Sequence, residues 1–301
     1  MTLASTRTAR RFAPLALLAV SGLLFTGCAS SSEAADEGLK QITIGTGELS
    51  PVNDAISAVA KDHGVQIEWQ SFSDWTLPNQ ALANSETDVN AFQHLAFLSA
   101  YNVAEDQNIT PVGSTLITTW GIYSDKHDSI ESIGQDATIA IPNDPSNGAR
   151  TLFLLESAGL IELADNIGVY PTVDDITSNP KNLKFNAVVA QQLVNVYPDV
   201  DAIVVGAATI DQAKSIPRDQ ALALDDPNAE SSRPYVNVVA VRGEDADSQD
   251  YAELSSFWQD QRVKDAVAEE SKGNTVIVDV PTDELRATLA DLEELARDLE
   301  Q

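Results

Sequence analysis

A proline-bounded turn followed by a predicted helix is the clearest candidate ligand site in this sequence. The turn, PNDP, follows a predicted strand at Ala137–Ile141, and a helix is predicted from Asn147 to Ala158 with Ser146 or Asn147 as its N-cap. The free N–H groups of a helix N-terminus favour an anion. Arg150, in the first turn, could bind both oxygens of a small carboxylate, or it could pair with an acidic side chain of the chain itself.

Aromatic and polar side chains form a second candidate group. They follow predicted strands in the first half of the chain or lie on a later extended segment, and they are Phe72, Trp75, Asn79, Phe92, Gln93, His94, Phe97, Trp120 and Tyr123. Some of them belong to the core. Aromatic rings at strand ends that face a cleft would form an apolar slot for the side chain of a ligand.

The usual residues of catalysis are not grouped in this sequence. His63, His94 and His127 are widely separated, Cys28 is the only cysteine, and neither a Gly-x-Ser-x-Gly motif nor a phosphate-binding glycine loop occurs. We therefore expect no enzyme, no metal site and no cofactor. The formal net charge of -28 repels phosphate backbones and argues against nucleic-acid binding.

The N-terminus is typical of a secretory leader. Basic residues precede the apolar run Phe12–Phe25, which is shorter than the roughly 20 residues that a spanning helix needs. Residues 1–27 are predicted to be a signal peptide, and residues 28–40 a lipidated cysteine with a flexible tether. The small residues before Cys28 resemble a bacterial lipobox, which implies a lipid such as palmitate on that cysteine. The alternative is an ordinary cleavage site with an incidental cysteine.

Strand and helix signals alternate along the mature chain, which predicts α/β architecture with parallel sheets. In the first half the predicted elements are Gln41–Gly45, Pro51–His63, Val65–Gln70, Pro78–Ala83, Asp88–Phe92 and His94–Asp106. In the second half, besides the strand and helix named above, they are a helix at Ala187–Val194 and a buried strand at Ala202–Val205.

Two long extended segments, Thr115–Ser124 and Pro234–Arg242, are predicted to cross between two lobes and form a hinge beside a ligand cleft. The predicted lobe 1 comprises residues 41–118 plus 237–280, and the predicted lobe 2 comprises residues 119–236. Residues 281–301 show a helical stripe of leucines. This C-terminal amphipathic helix could pack on its own domain or bind a partner.

Four stretches of the chain resemble the methionine-binding lipoprotein (NlpA-type) family: FSDWTLPNQALANSETDVNAFQHLAFL (72–98), ATIAIPNDPSNGARTLFLLESAGLI (137–161), DITSNPKNLKF (175–185) and DDPNAESSRPYVNVVAVR (225–242). The resemblance implies a two-lobed fold of the periplasmic-binding-protein type that delivers methionine to an ABC importer. The implied partners are a small amino-acid ligand, the permease and ATPase subunits of the importer, and the membrane through a lipid anchor. The implied location is the extracytoplasmic face of the cell membrane.

The resemblance also implies roles for individual residues. Arg150 matches the arginine that holds the ligand carboxylate, and Asn237 matches an asparagine that contacts the ligand. The full set of predicted ligand-binding residues is Trp75, Phe92, His94, Phe97, Trp120, Asn147, Arg150 and Asn237.

Several positions depart from the family pattern. Trp75 and Phe97 replace tyrosines, Val189 replaces a glutamate, and the segment Gly206 to Thr209 replaces Asn-x-Asn-Tyr. With Leu116 on the crossing segment, these changes leave two alternatives open. One is a receptor for a different amino acid or a short peptide, and the other is a surface or scaffold lipoprotein that no longer transports.

Overall fold

The computed structural model describes residues 38–213 and 216–300. The predicted signal peptide, Cys28 and most of the predicted tether lie outside the described residues. The strands are β1 (Lys40–Thr46), β2 (Val65–Ser71), β3 (Val89–His94), β4 (Thr110–Ser114), β5 (Leu116–Thr118), β6 (Trp120–Tyr123), β7 (Thr138–Pro142), β8 (Glu162–Leu163), β9 (Ile176–Ser178), β10 (Lys184–Val188), β11 (Ala202–Gly206), β12 (Ala221–Leu224), β13 (Asn237–Val241) and β14 (Thr275–Ile277).

Helices connect most of these strands. They are α1 (Pro51–Asp62), α2 (Leu77–Ala83), α3 (Leu95–Ala104), α4 (Pro145–Ser157), α5 (Leu193–Val196), α6 (Ala207–Ala213), α7 (Gln249–Ser256), α8 (Gln261–Ser271) and α9 (Thr282–Ala296). Within the described ranges, none of these helices is long and apolar enough to cross a membrane.

Two mixed sheets organise the chain from Gly38 onward. The first has the strand order β2-β1-β3-β13-β4 and the second β10-β7-β11-β6-β12. In the first sheet β1 pairs in parallel with β2 and β3, whereas β13 runs antiparallel to β3 and β4. In the second sheet β7 pairs in parallel with β10 and β11, whereas β6 runs antiparallel to β11 and β12. The prediction of α/β architecture is confirmed, but each sheet also contains antiparallel strands that the alternation of signals did not predict.

The chain passes between the two sheets at two places. The first passage is β5, which lies between β4 and β6 in sequence and pairs antiparallel with β14. The second lies between β12 and β13 and includes a 3-10 helix at Glu230–Tyr235. The predicted extended segment Pro234–Arg242 is therefore wrong at its start. Pro234 has no N–H to donate to a neighbouring strand, which disfavours a paired strand at this position. The predicted lobe boundaries stay a prediction.

Two further local predictions are corrected by the structure. The helix predicted at Ala187–Val194 is wrong at its start, because its first two residues belong to β10 and pair in register with β7. Strand pairing outweighs the local helical spacing there. A 3-10 helix follows at Ala190–Gln192, and only Leu193–Val196 is α-helical. Helix α4 begins at Pro145, and its N-cap is Asp144 rather than Ser146 or Asn147. Proline is favoured at the first helical position because it lacks an N–H, and an N–H at that position would have no intrahelical acceptor.

Apolar side chains fill both faces of each sheet. On the first sheet, α1 and α8 cover one face and α3 and α9 cover the other. The leucine stripe of α9 is buried against α3, and its members are Leu285, Leu289, Leu292 and Ala296. The C-terminal helix thus packs on the described body of the chain, which was the first of the two alternatives for it. The strand ends that these cores support carry the residues described next.

Candidate ligand-binding site

A cavity of about 240 Å³ lies between the ends of strands from the two sheets. This volume lies just below the roughly 300–1,000 Å³ of pockets for drug-sized ligands, which fits a small ligand such as an amino acid rather than a long peptide. The structure brings all of the predicted ligand-binding residues together around this cavity, namely Trp75, Phe92, His94, Phe97, Trp120, Asn147, Arg150 and Asn237. Their roles in binding a ligand stay a prediction.

Arg150 is buried in the wall of the cavity, and its side chain is only 3% exposed. Its Nε and Nη2 donate to Oδ2 of Asp225 at 2.9 and 2.6 Å, and Nη2 also donates to the carbonyl oxygen of Thr118 at 2.8 Å. The guanidinium lies 4.3 Å from the ring centroid of Tyr235 and 5.3 Å from that of Trp120. No hydrogen bond joins Nη1 to another described residue. Nη1 is therefore the part of the guanidinium that can still bind a carboxylate.

Burial lowers the pKa of Arg150, while the charge and hydrogen bonds of Asp225 act in the opposite direction. Arginine stays protonated in proteins, so the cavity wall carries a positive charge that is already paired. Sequence reasoning weighed an acidic partner for Arg150 but did not identify Asp225. The only signal was its position at the start of the last family-like stretch, in a chain with many other acids.

A chain of hydrogen bonds at the cavity wall links helix α4 to helix α3. Asp144 accepts from the backbone N–H of Asn147 at 2.9 Å and from its side-chain Nδ2 at 3.1 Å. This orients Oδ1 of Asn147 toward Nε2 of His94, at 3.1 Å. On the other side of the ring, Nδ1 of His94 accepts the backbone N–H of Phe97 and caps α3. Nε2 therefore carries the proton and Nδ1 carries none, so this histidine is neutral.

The pKa of His94 agrees with this arrangement. Burial and the nearby Arg150 lower it from 6.5 to about 3, and the hydrogen bond with Asn147 opposes them. Because the neutral ring uses both nitrogens, His94 serves as a fixed wall of the cavity and as a contact between α3 and α4. It is poorly suited to accept a proton from a ligand.

Aromatic rings form the apolar wall. Phe92 and Phe97 meet edge to face, with ring centroids 6.0 Å apart. Two of the tryptophans that line the cavity, Trp75 and Trp120, each lie against a glycine. A Cβ on Gly47 would come 2.8 Å from Nε1 of Trp75, and a Cβ on Gly206 would come 3.1 Å from Nε1 of Trp120. The glycine at position 206 thus removes a side chain from the wall and makes space for the indole beside it.

Asn237 opens β13 beside the hinge, in register with His94. Its Nδ2 donates to the carbonyl oxygen of Tyr235 at 3.4 Å, which leaves Oδ1 as an acceptor that no described residue uses. Leu116, Gly206, Ala208 and Thr209 also line the cavity. Together with Trp75 and Phe97, they are positions that depart from the family pattern and form part of its wall.

A buried amide network supports the end of β3. Asn79 exchanges hydrogen bonds with Gln93 at 2.7 and 2.6 Å, and its Oδ1 also accepts from Asn90 at 2.8 Å. Asn79 and Gln93 were noted in the sequence only as polar neighbours of the aromatic residues, and Asn90 was missed. The network holds the backbone from which Phe92 and His94 project. No group of His, Cys, Asp and Glu side chains able to hold a metal occurs among the described residues.

Comparison with known proteins agrees with this geometry. Residues 41–278 match the NlpA lipoprotein family. The chain belongs to that family. One relative, the D-methionine-binding lipoprotein MetQ of Escherichia coli K12, is 30% identical over 260 residues, which cover 85% of this chain and 94% of the relative.

Two solved structures extend the comparison to the fold. A periplasmic substrate-binding protein of an ABC transporter from Coxiella burnetii is 33% identical with a TM-score of 0.75, covering 79% of this chain and 100% of that one. A nutrient-binding protein from Burkholderia cenocepacia, solved with bound methionine, is 34% identical with a TM-score of 0.74, covering 79% of this chain and 99% of that one. The predicted periplasmic-binding-protein type of fold is confirmed.

Proposed function

We propose that this protein is an extracytoplasmic solute-binding lipoprotein that captures methionine for an ABC importer. The observation that carries the proposal is the buried guanidinium of Arg150, with Nη1 available, in the wall of a cavity that aromatic rings also line. A cation facing an apolar slot fits a ligand with a carboxylate at one end and an apolar side chain at the other. Relatives named for binding methionine support the same ligand.

In the proposed complex each end of methionine has a partner. The carboxylate binds Nη1 of Arg150, and the ammonium donates to Oδ1 of Asn237. The thioether lies among Trp75, Phe92 and Phe97, where a sulfur–aromatic contact contributes about 0.3–1.5 kcal/mol. Closure of the two sheets around the hinge would bury the ligand. No covalent step is involved, and the protein acts as a receptor rather than as an enzyme.

Calorimetric titration of the refolded, ligand-stripped protein with L- and D-amino acids tests the ligand. We expect methionine to bind most tightly. Arg150→Ala should weaken that binding by about 1.5–3 kcal/mol, the value of a charged hydrogen bond. The control is Arg233→Ala, because this arginine pairs with Glu284 away from the cavity and its removal should leave the affinity unchanged. Absence of binding to every amino acid would contradict the proposal.

The altered wall favours one alternative ligand class. Gly206 and Ala208 stand where the family pattern has asparagines, so the cavity has fewer polar groups at that side. A different amino acid or a short peptide, with its polar groups placed elsewhere, would fit this altered wall. The same titrations with dipeptides distinguish the two, since tighter binding of a dipeptide than of methionine would favour the alternative. A scaffold protein would bind neither.

The lipid anchor is proposed from the leader and Cys28. An acyl chain there would hold the receptor at the outer face of the membrane, near the permease and ATPase of its importer. Mass spectrometry of the membrane-extracted protein should find a lipid on Cys28, and Cys28→Ser should release the protein into the soluble fraction. Stimulation of the reconstituted importer's ATPase by the methionine-loaded receptor would test the partnership, and no stimulation would argue for a scaffold role.

A further inference from the structure

Asp225 is held in place behind Arg150. It follows β12 directly, and its Oδ1 accepts the backbone N–H of Trp120 at 2.7 Å while its own N–H donates to the carbonyl oxygen of Trp120 at 2.9 Å. Its Oδ2 accepts both Nε and Nη2 of Arg150. The carboxylate is therefore fixed by three N–H groups, and only 19% of its side chain is exposed.

The pair changes the charge that a ligand meets. Asp225 is not among the residues that line the cavity, whereas Arg150 is, and among the described lining residues Arg150 is the only lysine or arginine. Its positive charge is balanced by Asp225. The other charged residues of the wall are the acids Glu48 and Glu270, and the whole chain carries a formal net charge of -28.

We propose that Asp225 determines which carboxylates this receptor accepts, because by neutralising Arg150 it selects ligands that bring their own ammonium group. The inference rests on the proposed function and adds the residue that sets the ligand's charge class. A bare carboxylate bound beside the neutral pair leaves a buried negative charge without compensation, which is unfavourable in a poorly solvated site. A zwitterion leaves no net charge.

The same balance of charges predicts the effect of an uncharged residue at position 225. In the Asp225→Asn variant, the guanidinium keeps its own positive charge. A bare carboxylate then forms a neutral pair with the guanidinium, whereas the ammonium of a zwitterion adds a positive charge that Asp225 no longer offsets. The preference should therefore shift toward the carboxylate that lacks an ammonium.

The experiment compares the affinities for two ligands that differ only in the ammonium group. Binding of L-methionine and of desamino-methionine, which has hydrogen in place of the ammonium, is measured for the wild-type protein and for Asp225→Asn. We expect the wild type to prefer methionine strongly and the variant to narrow this preference by about tenfold or more, which corresponds to about 1.4 kcal/mol. Asp225→Glu keeps the charge and should keep the preference.

Asp226→Asn is the matched control. It makes the same charge change one residue further along, where the exposed side chain accepts hydrogen bonds from Asn228 that an asparagine oxygen can also accept. The ratio of its affinities for L-methionine and desamino-methionine should equal that of the wild type. Thermal unfolding of each variant shows whether it is folded.

Each outcome decides between distinct conclusions. If Asp225→Asn weakens both ligands equally, or leaves both unchanged, Asp225 has no role in charge selection and the inference is wrong while the receptor proposal stands. If the wild type binds a different amino acid, that compound and its desamino analogue replace the methionine pair. If the wild type binds no amino acid, both proposals fail.

Discussion

Removing the imidazole of His94 should flatten the pH dependence of stability. In the folded protein this ring is 7% exposed and neutral, with a pKa lowered from 6.5 to about 3, mainly by burial and then by Arg150. The folded pKa lies below that of the unfolded chain. As the pH falls through about 6.5, the unfolded chain binds a proton at this histidine and the folded protein does not, so stability is lost on acidification until the pH nears the folded pKa.

The magnitude follows from the size of the shift. One pKa unit corresponds to about 1.4 kcal/mol. When the pH is lowered from about 6.5 to about 5, the contribution of His94 should therefore reduce the free energy of unfolding by about 2 kcal/mol. His94→Asn removes the titration and keeps an acceptor for the backbone N–H of Phe97, because asparagine is a good N-cap. The variant should lack this part of the acid destabilisation.

Urea unfolding at a series of pH values measures the effect. Stability near pH 8 reports the lost packing and the lost bond to Asn147, whereas the change in stability on acidification reports the titration of His94. His63→Asn is the control for removing one imidazole, since its ring is at the surface beside Glu253. If the curves of His94→Asn and the wild type run parallel from pH 8 to about pH 5, the assignment of a buried neutral histidine is refuted.

Three further substitutions test the wall, the amide network and the terminal helix. Gly47→Ala should displace Trp75, because the new Cβ would lie 2.8 Å from the indole Nε1. We expect calorimetry to show severalfold weaker ligand binding and urea unfolding to show a change of no more than about 1 kcal/mol in the free energy of unfolding. An unchanged affinity would mean that Trp75 does not contact the ligand. Asn79→Ala should cost about 2–4 kcal/mol of stability because it leaves the buried amides of Gln93 and Asn90 without partners, and a loss well below 1 kcal/mol in urea unfolding would contradict this. Leu289→Ala should cost about 2–5 kcal/mol, whereas a solvent-exposed partner-binding helix would tolerate it with almost no change in thermal unfolding.

Local signals in the sequence were sufficient for much of the fold. The alternation of strands and helices predicted the α/β class because the 2.0 and 3.6 periodicities of buried residues are properties of short segments. The leucine stripe of the C-terminal helix was visible for the same reason, and its burial against α3 is what such a stripe usually indicates. The resemblance to a known family predicted a set of ligand-binding residues, and the structure places all of them around one cavity.

Errors occurred where a distant segment decides the local conformation. The helix predicted at Ala187–Val194 begins inside β10, whose last two residues pair with β7 as part of a strand. The return strands β6 and β13 run antiparallel to their neighbours, which alternation of elements cannot reveal. In each case hydrogen bonds to another part of the chain outweigh a weak local preference.

The sequence by itself determined that this chain has an export leader pattern, an α/β body and an arginine on a helix that follows a buried strand. Helix α4 begins earlier than predicted, so Arg150 lies in its second turn rather than in its first. Only the tertiary structure decided what that arginine contacts. Asp225 lies 75 positions away from Arg150, and Asn147 lies 53 positions away from His94. Periodicity reports which face of an element is buried, but the partner of a buried charge depends on how the two sheets are placed, and the chemistry of the cavity depends on that partner.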